Sequence, residues 1–177
     1  HQGSFSVPGR NEQGDRWGSV LTSGDFNGDT FEDLAIGAPA ESLDSVQRAG
    51  AVTVLFGNSK GISGRGSISI DQNTDGFQIG AEPADHWGDA LEALDMNGDG
   101  KSELVVAASG ESLGTQFDTG LLTLFWGTDT GITPNLFLTL DQDTMNVPNE
   151  NKTLDYWGRL GTTSELDLER PPWGLTT

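Results

Sequence analysis

The chain has 177 residues, a usual size for one domain, with 25 glycines and no cysteine. So much glycine argues against a helical protein, since a helical Gly costs up to about 1 kcal/mol relative to Ala, and without Cys there is neither a disulfide nor a thiolate metal site. Asp and Glu number 27 against 9 Lys and Arg; the net charge of −18 repels nucleic acid and anionic membranes. No apolar run approaches the ~20 residues of a membrane helix, so membrane insertion is not expected. No signal peptide is visible, although a mature chain would have lost one. An acidic, cysteine-free chain fits a secreted, extracellular or periplasmic place better than the cytosol.

The chain repeats itself. Trp17-Gly18, Trp87-Gly88 and Trp157-Gly158 stand 70 residues apart, as do Gln2, Gln72 and Gln142, and Asp15, Asp85 and Asp155. Two full units, 1–70 and 71–140, are followed by a partial, degenerate third over 141–177. In chain order the first unit reads WGSVL, DLAIGA, AVTVLFG and SISI, each of strand length and bounded by Gly, Asp, Asn or Ser. The second answers with WGDAL, ELVVAA, LLTLFWG and LFLTL, and no stretch keeps a helical period. The expected fold is all-β, made of β-propeller blades: four-stranded antiparallel sheets, about two full blades and the start of a third. The Trp that opens each unit is expected to pack between blades.

Between the first and second strand of each unit lies an acidic loop. The first runs Asp25-Phe26-Asn27-Gly28-Asp29-Thr30-Phe31-Glu32-Asp33, the second Asp95-Met96-Asn97-Gly98-Asp99-Gly100-Lys101-Ser102-Glu103. Oxygen-bearing side chains fall at positions 1, 3, 5 and 9, and position 7 is free to offer its carbonyl. A tight loop with this spacing can surround one hard cation with oxygen. Calcium takes 6–8 oxygens at about 2.3–2.6 Å in irregular geometry, whereas magnesium demands a stricter octahedron and zinc would want His or Cys. The expected cofactor is Ca2+, two ions per chain. At position 6 Gly100 supplies a positive φ easily and Thr30 does not. In the third unit the aligned residues are Glu165, Asp167, Glu169 and Trp173, stiffened by Pro171 and Pro172, and no good site is expected there.

The stretch WGSVLTSGDFNGDTFEDLAIGAP resembles the FG-GAP repeat of integrin α-subunits and of many bacterial secreted proteins. Trp17-Gly18 stands for Phe-Gly, and Gly37-Ala38-Pro39 is the GAP. The resemblance implies a propeller blade with calcium in the loop joining its first two strands. It places the ligands on Asp25, Asn27, Asp29, Asp33 and the backbone oxygen of Phe31, and on Asp95, Asn97, Asp99, Glu103 and the backbone oxygen of Lys101. The second unit departs from the pattern, reading Ala107-Ala108-Ser109 where GAP would be. The function implied is a non-enzymatic interaction or adhesion module, touching its protein or glycan ligand through loops such as 39–49 and 109–119. A propeller belonging to a secreted hydrolase and a carbohydrate-binding propeller are the rival readings.

Other signals are discounted. Gly57-Asn58-Ser59-Lys60-Gly61 fits a nucleophile-elbow pattern, but that elbow needs a following helix and ISGRGSIS will not form one. His86 is read as a surface residue. Asn151-Lys152-Thr153 is a glycosylation sequon, meaningful only on a eukaryotic secretory route. A ring of about 4–8 blades is longer than this chain supplies. The expected partner is therefore a homo-oligomer, formed through a strand at 157–160, or a chain that completes the propeller; a truncated product is the third possibility.

Overall fold

The computed structural model describes residues 1–144, except 3, 5 and 78, together with 152, 153 and 156–158. The described residues form eight strands and no helix. They are β1 Val20–Gly24, β2 Asp33–Ala38, β3 Ala51–Phe56, β4 Ser63–Ile70, β5 Ala90–Leu94, β6 Glu103–Ala108, β7 Leu121–Phe125 and β8 Phe137–Leu140. They make two four-stranded antiparallel sheets in simple meander order, β1-β2-β3-β4 and β5-β6-β7-β8. These are two propeller blades. Each acidic run turns β1 into β2, or β5 into β6, at one end of its sheet. Loops 39–50 and 109–120 turn at the other end.

Several strands differ at their ends from the sequence expectation, β1 and β4 among them. Trp17 and Gly18 precede β1 instead of opening it, because Arg16 and Gly18 take positive φ (57° and 89°) and the Ser19 N–H turns back to the Arg16 carbonyl. The fourth strand is longer than SISI, since β3 pairs on past an irregularity at Val54/Phe56 to meet Ser63. The expected strand at 157–160 reaches beyond the described residues.

Alternation along the strands gives each sheet two apolar faces. Val52, Val54, Ile68 and Ile70 share one face of the first sheet and pack against Leu91, Leu104, Val106 and Phe125 of the second. Trp87 lies wholly buried between the sheets, its ring 5.7 Å from Phe77 and 6.1 Å from Phe125, and Phe77 stands 5.0 Å from Phe137. The indole N–H of Trp87 points to Thr123 at 3.5 Å, and that of Trp17 to the matching Thr53 at 3.2 Å. The two tryptophans thus hold the same place on their own blades. Trp87 is covered by a neighbouring blade, and Trp17 stays half-buried on the outer face of the first sheet. The strand residues follow suit: Leu91 is 9% exposed and its partner in the first unit, Leu21, is 57% exposed.

The units are joined by backbone. The N–H of Trp87 donates to the Ala49 carbonyl at 2.8 Å, and that of His86 to Arg48 at 3.2 Å. Trp157 and Tyr156 repeat this on Thr119 and Asp118 at 3.0 and 2.9 Å. The joint requires glycine: a Cβ on Gly50 would sit 2.1 Å from the Trp87 oxygen, and one on Gly120 2.2 Å from that of Trp157. Just before each tryptophan, Arg16, His86 and Tyr156 share the left-handed conformation, at φ 57°, 54° and 48°.

Removing the indole that fills the space between blades therefore exceeds, in effect, removing the one on the open face. Trp87→Ala is expected to lower unfolding stability by ~3–5 kcal/mol, and Trp17→Ala by roughly half of that or less, because its exposed half gains nothing from burial. Urea unfolding of the two variants checks this; equal losses would contradict the packing described.

Candidate metal centre

Each acidic loop closes on its own side chains. In the first, Asp25 Oδ1 accepts from the N–H groups of Gly28 and Asp29 at 2.7 and 3.1 Å, and its Oδ2 from Thr30 at 2.7 Å. Asn27 Oδ1 accepts from the Asp29 N–H, and Asp29 Oδ1 from Phe31, both at 2.9 Å. The second loop repeats the pattern bond for bond through Asp95, Asn97 and Asp99, the last accepting from the Lys101 N–H. These bonds bend the backbone so that positions 1, 3 and 5 lie along one tight turn, which is why short Asp and Asn side chains are needed there.

Position 9 differs between the loops. Asp33 is buried at the start of β2 and receives two backbone N–H groups, from Phe26 at 3.0 Å and Gly57 at 2.8 Å. Burial raises its pKa, the N–H groups of Gly57 and Phe26 oppose that, and the charges of Asp29 and Asp25 add to it. Glu103, one methylene longer, accepts from the Met96 N–H at 2.7 Å and from Asn97 Nδ2 at 3.2 Å. Asn97 also reaches Asp99 Oδ2 at 3.2 Å, so positions 3, 5 and 9 of the second loop are linked side chain to side chain. In the first loop only Asn27 and Asp29 are linked in this way, at 3.2 Å. Position 6 has positive φ in both copies, Thr30 at 74° and Gly100 at 85°. A β-branched residue pays about 1–2 kcal/mol for that conformation, and the Asp25 bond to the Thr30 N–H holds it there. The donor set is entirely oxygen and carries three carboxylates per loop, which fits a hard divalent cation and not a soft one. Glu165, Asp167, Glu169 and Trp173 of the third unit lie outside the described residues, as does Asn151 of the sequon. Gly57–Gly61 forms the turn between β3 and β4.

A second acidic cluster recurs at the opposite end of each blade. Gln2 donates through Nε2 to Glu41 at 2.7 Å, and Gln72 to Glu111 at 2.5 Å. Beside them Asp15 Oδ2 accepts from the Glu12 N–H at 2.7 Å, and Asp85 Oδ2 from Glu82 at 2.5 Å. Among the described residues, Glu12, Asp15 and Glu41 are the carboxylates whose oxygens come within 4.8 Å of one another; the loop acids are spaced more widely. Gln72 follows β4 of the first blade and Glu111 lies between β6 and β7 of the second, so their bond spans the joint. The recurrence of Gln2 with Gln72 and of Asp15 with Asp85 was visible in the sequence, and their acid partners were missed. The signal was the same register, since Glu12 and Glu82, and Glu41 and Glu111, also stand 70 apart.

Comparison with known proteins places this geometry. Residues 17–55 and 87–125 match the FG-GAP repeat family. Relatives carry the name phosphatidylinositol-glycan-specific phospholipase D. The Mus musculus protein is 34% identical over 116 residues, which is 66% of this chain and 14% of that protein. The Homo sapiens protein is 32% identical over 120 residues with the same two shares, and the Dictyostelium discoideum protein 28% over 117 residues, 63% of this chain and 12% of its own length. The chain thus spans about a seventh of the length of these relatives.

The acid–amide cluster makes stability depend on pH. Burial, with the charges of Asp85 and Glu82 next, pushes Glu111 up to about 8. Burial, opposed by the Glu82 N–H and helped by the charges of Glu82 and Asp118, pushes Asp85 up to about 7. Folded, both hold protons that the unfolded chain has released above about pH 4.5. The unfolded state then binds fewer protons, so stability falls as pH rises through 7 and 8. The melting temperature is expected to drop between pH 5.5 and 8.5. Glu111→Gln, which keeps the shape and cannot ionise, should flatten that drop; an equally steep decline in the variant would count against it.

Proposed function

Because the body of this chain is two FG-GAP repeats, we propose that it acts as a calcium-stabilised, non-enzymatic interaction module of β-propeller type, working outside the cell. The observation that carries this is the pair of all-oxygen loops, which repeat the same internal bonds 70 residues apart at the same end of their blades. Unneutralised, three carboxylates on one short turn repel one another. Ca2+ held by Asp25, Asn27, Asp29, Asp33 and the Phe31 carbonyl, and by Asp95, Asn97, Asp99, Glu103 and the Lys101 carbonyl, removes that repulsion and stiffens each first turn. Loops 39–49 and 109–119, at the far end, are then left to meet a protein or glycan ligand, as an adhesion module requires.

A second reading is favoured by the names of the relatives. The repeats would then be the non-catalytic propeller part of a larger secreted hydrolase. The module's role would be the same, that of holding a partner or substrate, including a glycan. In either case both outer blade faces need cover: Met96, Leu136 and Leu138 on the second blade and Leu21 on the first are exposed. Further blades supply it, whether from two or three copies of this chain in one ring or from a chain that completes the propeller. Molar mass by light scattering, with and without calcium, separates a ring of copies from a monomer.

Ions that bind only folded loops stabilise the fold, by about 2.7 kcal/mol at a hundredfold excess over Kd. Calcium is therefore expected to raise the melting temperature and chelator to lower it, with two ions counted by titration calorimetry. Asp95→Ala should bind one ion and keep the site in the first loop. Absence of binding heat, together with identical melting in calcium and chelator, would overturn the calcium reading.

A further inference from the structure

The first acidic loop does not stand alone. Its Asp25 carbonyl accepts the backbone N–H of Ser102, in the second acidic loop, at 2.7 Å. The stem of Lys101 lies along Gly28, where an added Cβ would come 3.2 Å from the lysine carbons, and its ammonium reaches Asp129 of the next turn at 3.2 Å. Phe26, at position 2 of the first loop, is 0% exposed in the core between the blades, whereas Met96, at the same place in the second, is 59% exposed. A Cβ on Gly127 would meet both the Ser102 and the Phe26 oxygens, so the turns of the second blade close around the first loop without a gap. Seventy residues beyond Ser102 the sequence has Pro172, which has no N–H to give.

Ser102 stands between two ligand positions of its own loop, the Lys101 carbonyl and Glu103, and its N–H holds the residue that opens the other loop. We propose that the two loops form one coupled calcium-binding unit, in which an ion in either loop raises the affinity of the other through the Ser102–Asp25 bond and the buried Phe26. The proposal rests on the calcium reading above. An ion in the second loop fixes the backbone on both sides of Ser102. That orders its N–H toward the Asp25 carbonyl and lowers the conformational entropy the first loop has left to lose. Linkage makes the effect reciprocal, so the first ion helps the second by the same factor.

The experiment is calcium titration of the whole chain and of two single-site variants, Asp29→Ala and Asp99→Ala, by calorimetry, with far-UV circular dichroism to confirm native sheet content. Each variant is expected to keep one ion, bound roughly fivefold or more weakly than the same loop binds in the unaltered chain once its neighbour is filled. A third variant, Phe26→Met, gives the first loop the residue of the second and changes no ligand oxygen; it should shrink the coupling. Variant affinities equal to those of the unaltered chain, with two independent sites, would overturn the coupling and leave the calcium reading standing. No calcium binding by the unaltered chain would remove both. If either alanine variant loses its sheet signal, Phe26→Met decides alone: an unchanged titration curve overturns the proposal.

Discussion

A four-stranded sheet with two apolar faces cannot stand in water by itself, and the rest of this molecule follows from how that constraint is met. The first blade covers one face with the second blade. Trp87, Phe77, Phe125 and Phe137 fill the space between them with tilted and edge-on ring contacts, the arrangement that aromatic quadrupoles favour. The 70-residue period is what makes this possible, because each unit opens with the indole that lies on its own sheet and faces the blade before it. Trp17 carries out the same instruction with no described blade in front of it.

Much of this could be read from the residues. The register of Trp17, Trp87 and Trp157 gave the number of blades, and the strand runs fell within a few residues of the observed strands. The loops were legible because Asp, Asn and Gly at fixed spacing fold back on their own backbone whatever surrounds them. What could not be read was non-local. Trp17-Gly18 looks like the start of a strand, yet the positive φ at Arg16 and Gly18 makes it a turn, and a left-handed Arg has no sequence signature. Thr30 was expected to resist a positive φ; the closure of the loop onto Asp25 overrides its preference. The bonds of Gln72 to Glu111 and of Ser102 to Asp25 join residues tens of positions apart, and only the docking of one sheet on the next brings them together.

The joint between the two described blades is pinned at two ends by different kinds of chemistry. At one end, acids on tight turns are spaced widely, most at the surface and Asp33 and Glu103 buried, and they accept backbone N–H groups. At the other, acids are buried beside amides, and their charge is best removed by a proton. Both ends rely on carboxylates, which accounts for a strongly acidic chain that is nonetheless well packed in its centre. The proposed calcium sites lie at one end and the proton-holding acids at the other, so both bear on the same interface.

Arg16, His86 and Tyr156 occupy one backbone position in three successive units, each in the left-handed conformation that a side chain adopts only at some energetic expense. The main chain there is constant and the side chain is not: a guanidinium, an imidazole and a phenol are presented in the same attitude, all three lining one hollow together with Ser109 and Asp89. Such a position is a mounting point. A side chain can be exchanged there, one unit at a time, without disturbing the frame that holds it.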